Sequence, residues 1–137
     1  MSKSKAKPLL YVITGSILLV ILILFLQTYL RDTNKACKTI WAEKGASPEQ
    51  IKILENSKNY IDSSGFYQKD AIDYSIFSFE NINADLFETV QWSQEEKNHV
   101  FDKNDLVVTI GSVNDHDFAQ IVVQNKTHKA IGHIPVK

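Results

Sequence analysis

Residues 9–30 read LLYVITGSILLVILILFLQTYL, and the rest of the chain is organised around this stretch. From Leu9 to Leu26 it contains no charged residue and no proline, and only residues 14–16 are not strongly apolar. The hydrocarbon core of a bilayer is about 30 Å thick, and a helix that rises 1.5 Å per residue needs roughly 20 apolar residues to cross it. The stretch therefore predicts a transmembrane helix, followed by a tethered domain.

The two ends of this apolar run each carry a tyrosine, Tyr11 and Tyr29. Tyrosine rings prefer the headgroup level of a bilayer, so this spacing is typical of a membrane-spanning helix. We expect the lipid bilayer to be one partner of the chain. The predicted membrane-anchor residues are Leu9, Tyr11, Leu18, Leu22, Phe25 and Tyr29.

The basic residues on either side of the span predict its orientation. Three lysines precede the span within residues 1–8 without an acid, whereas four basic and two acidic residues follow it within residues 31–44. The two basic counts are nearly balanced, but long C-terminal domains cross a membrane largely regardless of their charge. We therefore expect a cytoplasmic N-terminus and an extracytoplasmic domain, in a bacterial inner membrane or a plasma membrane.

A cleaved leader is the alternative interpretation of the same segment. A secretory signal peptide has an apolar core of about 7–15 residues followed by a small-x-small site. This run is longer, and no such site follows it. Lipoprotein processing at Cys37 would need apolar and small residues before the cysteine, where the chain has Asn34-Lys35-Ala36. These features favour an uncleaved anchor.

The predicted segments are a basic tail (1–8), the membrane helix (9–30), a juxtamembrane helix (31–46) and a domain (47–137). Residues 31–137 contain all 16 acids of the chain and 12 of its 15 lysines and arginines, which leaves a formal charge of −4. This charge argues against nucleic acid as a partner, because such domains are typically basic. The single cysteine excludes an intrachain disulfide, so the domain depends on its hydrophobic core.

The first part of the domain has helical periodicity. Apolar residues at spacings of three and four continue the membrane helix towards Gly45, which suits a helix C-terminus. A second helix is predicted over 48–62, because Ser47 and Gln50 have the spacing of a capping box and Pro48 suits the first helical position. Gly65 is its predicted end.

Beyond residue 70 the apolar pattern alternates, which indicates strands. The predicted fold class is α+β: an N-terminal transmembrane helix followed by a small two-layer domain, in which a helix pair packs on an antiparallel sheet of about five strands. Short turns between the strands favour a meander in chain order. Residues 93–101 fit either a short helix or a polar hairpin. The predicted strands lie near 71–80, 86–92, 106–110, 118–123 and 129–136.

Residues with catalytic or metal-binding chemistry are sparse and scattered. Pairing about the predicted turn at 125–128 would place His133 opposite Gln120, where only His116 could approach it loosely. There is no Gly-x-Ser-x-Gly motif and no glycine-rich phosphate loop, and the lone cysteine lies beside the membrane helix. We therefore predict no catalytic residue, no metal ligand and no cofactor, and we do not expect an enzyme.

The charge of the domain is concentrated in residues 80–117, which hold nine acids and two lysines. A concentrated acidic surface can attract a partner protein with a basic surface, although acids in loops also serve solubility alone. Four aromatic residues would be apolar anchors for such a partner if one face of the sheet stayed open, although we expect most of them to belong to the core: Phe77, Phe79, Phe87 and Trp92. The predicted partner-binding residues are Glu95, Glu96, Asp102 and Asp105.

Together these patterns predict a single-pass membrane protein with a small protein-binding domain. Two alternatives remain open from the sequence: a structural subunit of a membrane or envelope complex, and a toxin-neutralising immunity protein.

Overall fold

The structure is a computed structural model that describes the backbone of residues 6–136 and the side chains of residues 11–136. The predicted α+β class with a five-stranded antiparallel sheet is confirmed. The chain divides into two compact units, with the boundary between Ala36 and Cys37. The helices and strands are α1 (Ala6–Glu43), α2 (Pro48–Ser64), β1 (Phe77–Asn81), α3 (Ala84–Thr89), β2 (Gln91–Trp92), β3 (Leu106–Ser112), β4 (Asp117–Val123) and β5 (Ala130–Ile134). Two short 3₁₀ turns, Lys69–Ala71 and Gln94–Glu96, lie between them.

Helix α1 is, within the described residues, the one helix long and apolar enough to cross a membrane. Its C-terminus matches the prediction, because Gly45 adopts the left-handed conformation with φ of +88°. The backbone N–H of Ala46 donates to the Trp41 carbonyl, which satisfies one of the last helical acceptors.

The N-terminus of α2 is the capping box expected from the sequence. The Ser47 hydroxyl accepts from the Gln50 backbone N–H at 3.2 Å, and the Gln50 side chain accepts from the Ser47 N–H at 2.9 Å. Pro48 occupies the first turn, and Gly65 ends the helix with φ of +69°. Local sequence therefore determines both ends of this helix.

The strand order of the sheet is β1-β3-β4-β5-β2, so the predicted meander in chain order is wrong. Strands β3, β4 and β5 form a meander, but β1 and β2 lie at opposite edges of the sheet. The chain crosses one face of the sheet between β1 and β2 and crosses it again before β3. We call this crossing segment, residues 82–105, the cap.

The helices cover the other face and form the first core. Trp41 of α1 and Leu54 and Ile61 of α2 are buried against the sheet. The Trp41 indole donates a hydrogen bond to the Tyr74 carbonyl at 2.7 Å. The buried strand residues of this core are Val108, Ile110, Ala119, Ile121 and Val123.

The cap covers the second face and forms a smaller second core. Its residues Ile82 and Val90 are buried there, with Leu86, Phe87 and Trp92 partly buried around them. The sheet contributes Val107, Val122, Ile131 and Ile134. Neither face of the sheet is therefore left open along its centre.

The strand predicted near 71–80 is shorter, because only Phe77–Asn81 pairs with the sheet. The Asp73 carboxylate accepts from both the backbone N–H and the hydroxyl of Ser75, and this local turn interrupts the extended run. Phe77 and Phe79 lie against the first core.

The strand predicted near 86–92 is wrong for most of its length, where α3 forms instead. The Asn83 side chain caps α3 by accepting from the Leu86 N–H at 2.8 Å. Leu86 and Val90 are four residues apart, a spacing that fits a strand and a helix equally well. In the following segment, which the sequence left open, the 3₁₀ turn Gln94–Glu96 forms after Ser93.

The pairing of β4 with β5 differs from the prediction by one residue. A register shift between Val122 and Val123 places His133 opposite Ile121 instead of Gln120. His133 therefore lies on the face covered by the helices, where its Nδ1 atom is 2.9 Å from the Tyr60 hydroxyl.

Candidate functional site

The predicted anchor residues lie along α1. Tyr11, Leu18, Leu22, Phe25 and Tyr29 are all exposed, and no part of the most apolar window is buried. Leu9 belongs to the same helix, but its side chain lies outside the described residues, as does the backbone of residues 1–5. An exposed apolar helix of this length is suited to a lipid environment.

Asp105 links the cap to the turn after β4, in addition to the strand pairing and the apolar contacts of the cap. It is only 2% exposed, and its two carboxylate oxygens each have a partner within the chain. One oxygen lies 2.7 Å from Nε2 of His99, and the other accepts from the backbone N–H of Asn125 at 3.0 Å. Asp105 therefore offers no charge at the surface, and we leave it out of the candidate binding site.

Glu95 and Glu96 lie on the 3₁₀ turn of the cap and share one cation. The ammonium of Lys129 is 3.0 Å from a Glu96 oxygen and 3.1 Å from a Glu95 oxygen. These hydrogen bonds, first that with Glu96 and then that with Glu95, raise the pKa of Lys129. Two carboxylates against one ammonium leave a negative charge at this point of the surface.

Asp102 remains an acidic surface residue of the cap. Its carboxylate accepts from the backbone N–H of Asn104 at 2.9 Å and from the Asn104 side-chain amide at 3.0 Å. The backbone hydrogen bond is the main reason that the pKa of Asp102 is lowered. The residue is therefore ionised at neutral pH, and its position is fixed by the turn.

The cap also exposes two apolar residues, which the sequence analysis did not single out. Val100 is 80% exposed and Phe101 is 41% exposed, directly before Asp102. The Phe101 ring lies 5.3 Å from that of Phe87, which in turn lies 5.0 Å from that of Trp92. Phe101 is thus supported by an aromatic contact with Phe87, which packs on the second core.

The four aromatic residues considered as anchors pack on the two cores, as expected for most of them. Phe77 and Phe79 pack on the first core, and Phe87 and Trp92 pack on the second. The useful sequence signal was the apolar dipeptide Val100-Phe101 within an otherwise polar segment. The cap as a whole holds six acids and two lysines, a formal charge of −4.

Two neighbouring acids extend this surface onto α3. Asp85 and Glu88 are exposed, whereas Phe87 between them turns inward and contacts Phe101.

No protein-family model, curated protein or solved structure matches the chain.

Lys103 and Lys126 also lie beside the exposed pair, so the acidic character belongs to the segment as a whole. An exposed apolar centre in a segment of net negative charge is suited to binding a protein surface that is basic overall.

A second candidate site is a cleft of about 390 Å³ between the segment after α2, the start of β4 and the end of β5. His116 and His133 both line it, although the sequence predicted only a loose approach. Within residues 6–136, no three histidine, cysteine, aspartate or glutamate side chains are placed to hold a metal ion. The other lining residues are Phe66, Tyr67, Gln68, Ala71, Ile72, Asp117, Phe118, Pro135 and Val136.

Proposed function

We propose that this chain is a single-pass membrane protein whose domain binds another protein with a basic surface through the cap. In this proposal helix α1 is the anchor, the N-terminus is cytoplasmic and the domain is extracytoplasmic. The domain has no catalytic role of its own. A toxin-neutralising immunity protein would be one specific form of this function.

The observation that carries the proposal is the exposed pair Val100 and Phe101 in a fixed acidic segment. Binding energy at protein interfaces concentrates in a few apolar or aromatic residues surrounded by a polar border. Beside this pair lie the acid Asp102 and the bases Lys103 and Lys126. Asp85 and Glu88 flank Phe87, whose ring contacts that of Phe101. The proposal assigns the attraction of a basic partner to these three acids, in a segment whose formal charge is −4 and whose field reaches about a Debye length.

The fixed conformation of the cap supports the same interpretation. The His99–Asp105 pair and the aromatic contacts beneath Phe101 hold the segment before a partner arrives. A preorganised surface loses less conformational entropy on binding than a flexible loop. The cap is thus suited to presenting its apolar pair, which a segment serving solubility alone would not require.

Charge neutralisation on the full-length chain tests this function. The cap variant combines Asp85→Asn, Glu88→Gln and Asp102→Asn, and the matched control removes three exposed acids elsewhere by Glu43→Gln, Asp70→Asn and Asp115→Asn. Each chain is recovered from solubilised membranes with its bound protein, at low and at high salt.

At low salt, we expect the affinity of the cap variant for its bound protein to fall at least about tenfold, which corresponds to about 1.4 kcal/mol of binding free energy. The control variant should keep the original affinity. High salt should weaken binding of the original chain and have less effect on the cap variant, because screening acts on the charges that the variant lacks. Equal binding by both variants at every salt concentration would refute the acidic-cap proposal.

The orientation has its own test, with a cysteine at an exposed domain position. In a chain carrying Cys37→Ser and Val113→Cys, the new thiol is placed at a residue that is 53% exposed. We expect a membrane-impermeant maleimide to label it in intact bacterial cells. Labelling only after lysis would reverse the proposed orientation.

A further inference from the structure

The cleft beside His133 is separate from the cap and has a different chemistry. Three aromatic residues line it, Phe66, Tyr67 and Phe118, and Phe66 is 73% exposed at its mouth. Its volume of about 390 Å³ falls within the range of about 300–1,000 Å³ that is usual for small-molecule sites.

Among residues 11–136, the lining contains a single formal charge, the carboxylate of the exposed Asp117. Within residues 11–136, no side chain or backbone group is hydrogen-bonded or ion-paired to that carboxylate, and no lysine or arginine lines the cleft. An unpaired carboxylate beside aromatic rings makes the electrostatic potential of the cleft negative, because the carboxylate is an anion and the faces of aromatic rings carry partial negative charge.

Two titratable rings of the lining, His133 and Tyr67, are neutral at pH 7. Burial lowers the pKa of His133 below its ordinary value, and its Nδ1 atom already pairs with the Tyr60 hydroxyl. Burial, and secondarily the charge that Tyr60 would carry, raises the pKa of Tyr67 to about 12. Neither ring therefore offsets the negative charge of Asp117.

The hydroxyl of Tyr67 is an additional unmet polar group. It is buried and has no hydrogen-bond partner among residues 11–136. Because less than 1 Å² of this oxygen is exposed, it is not available to a ligand in the cleft. Among residues 11–136, the cleft thus combines apolar surface with one negative charge, that of Asp117.

We propose that this cleft binds a small organic cation, an ammonium or guanidinium group carried on an apolar body. The body packs against Phe66 and Phe118, and the cationic group is attracted by the Asp117 carboxylate and the aromatic faces. An organic anion of the same shape is repelled by Asp117. This site does not depend on the function proposed for the cap.

The test compares three probes with the same ring on the full-length chain in detergent micelles: 2-phenylethylamine, 2-phenylethanol and phenylacetate. The imidazole carbon–proton signals of the four histidines report binding at constant pH. His116 and His133 line the cleft, whereas His99 and His128 lie elsewhere and serve as internal controls.

We expect the amine to shift the signals of His116 and His133 saturably and to leave His99 and His128 unchanged. The amine should bind at least about fivefold more tightly than the alcohol, and phenylacetate should bind most weakly. Asp117→Asn should remove the preference for the amine, while Asp115→Asn in the same turn, whose carboxylate pairs with Ser112 outside the cleft, should keep it.

A second variant keeps the test decisive if Asp117→Asn changes the turn. Phe66→Leu, at an exposed position, retains apolar volume and loses the aromatic face, so we expect weaker amine binding and unchanged alcohol binding. Equal affinities for amine and alcohol, an amine preference that survives Asp117→Asn, or no saturable shift at His116 and His133 would each overturn the proposal.

Discussion

The two faces of the sheet are covered by very different structures. On one face, the end of α1 and the 17-residue helix α2 bury Trp41, Leu54 and Ile61 in regular helical spacing. On the other face, the cap consists of a six-residue helix, a two-residue strand and a 3₁₀ turn. The cap depends on individual contacts, chiefly those of Asp105, because its elements are too short to be stable by themselves.

This difference suggests a division of roles within the domain. The face covered by helices contributes most of the buried apolar surface, so it should set the global stability of the domain. The cap has fewer buried apolar contacts and should open locally at lower free energy. A surface segment of this kind can vary in sequence for binding without loss of the fold.

The largest expected effect is that of removing Trp41 from the helical face. Trp41→Ala deletes a side chain that is 1% exposed and should reduce the free energy of unfolding by about 3–5 kcal/mol. The measurement is urea unfolding of the full chain in micelles, followed by the fluorescence of the remaining tryptophan, Trp92.

Trp41→Phe is the matched control for this substitution. It keeps an aromatic ring and loses the hydrogen bond to the Tyr74 carbonyl, so we expect a loss of about 1–3 kcal/mol. A Trp41→Ala chain as stable as the original would contradict the assignment of global stability to the helical face.

The next largest effect concerns the cap. Asp105→Ala leaves His99 and the Asn125 N–H without their buried acceptor, and each such loss costs about 1–3 kcal/mol. We expect faster amide hydrogen exchange throughout residues 93–105 and little change in α2. The control Asp102→Asn retains an acceptor oxygen and should leave the exchange rates unchanged. If Asp105→Ala accelerated exchange equally in α2 and in the cap, the two faces of the sheet would not open independently.

A smaller effect is expected at the start of α2. Ser47→Ala removes the side-chain acceptor of the capping box and should cost about 1 kcal/mol. Ser47→Asp restores an acceptor and should recover most of that stability. Urea unfolding measures the stability of both variants. Amide hydrogen exchange provides the second measurement: if Ser47→Ala accelerated exchange in the cap and not in α2, the proposed independence of the two faces would be wrong.

The smallest expected effect is a pH dependence at His133. Burial lowers the pKa of this histidine in the folded chain, so the unfolded chain binds the proton more readily as pH falls through the ordinary histidine range near 6.5. Stability is therefore present above that range and declines below it. His133→Asn should show a shallower decline between neutral and mildly acidic pH, and an unchanged slope would contradict the burial effect.

The helical face could be predicted from the sequence because its signals are local. Ser47, Pro48 and Gln50 specify the start of α2 through side-chain and backbone bonds within one turn, and Gly45 and Gly65 supply left-handed conformations at helix ends. The short apolar runs of β3 and β4 indicate strands, and these runs are nearly continuous because both faces of the strands are buried.

The cap could not be predicted because its structure depends on distant residues. The sequence does contain a helix-start signal for α3, because Asn83 is a common N-cap residue type and its side chain accepts from the Leu86 N–H. The pairing of Gln91 and Trp92 with β5, however, requires the completed sheet. Asp105 is indistinguishable in sequence from the surface acids around it, and only the approach of His99 and Asn125 shows that it is buried. The cleft likewise depends on the register shift that places His133 on the helical face.

The most direct test of the account is site-specific photocrosslinking in membranes. A photoreactive residue replaces either Val100 in the cap or Val113 in the turn between β3 and β4, both of which are exposed valines. The account predicts a crosslinked protein at position 100 that disappears with the neutralisation of Asp85, Glu88 and Asp102, and none at position 113. A crosslink at position 113 and none at position 100 would contradict the claim that the cap is the binding surface.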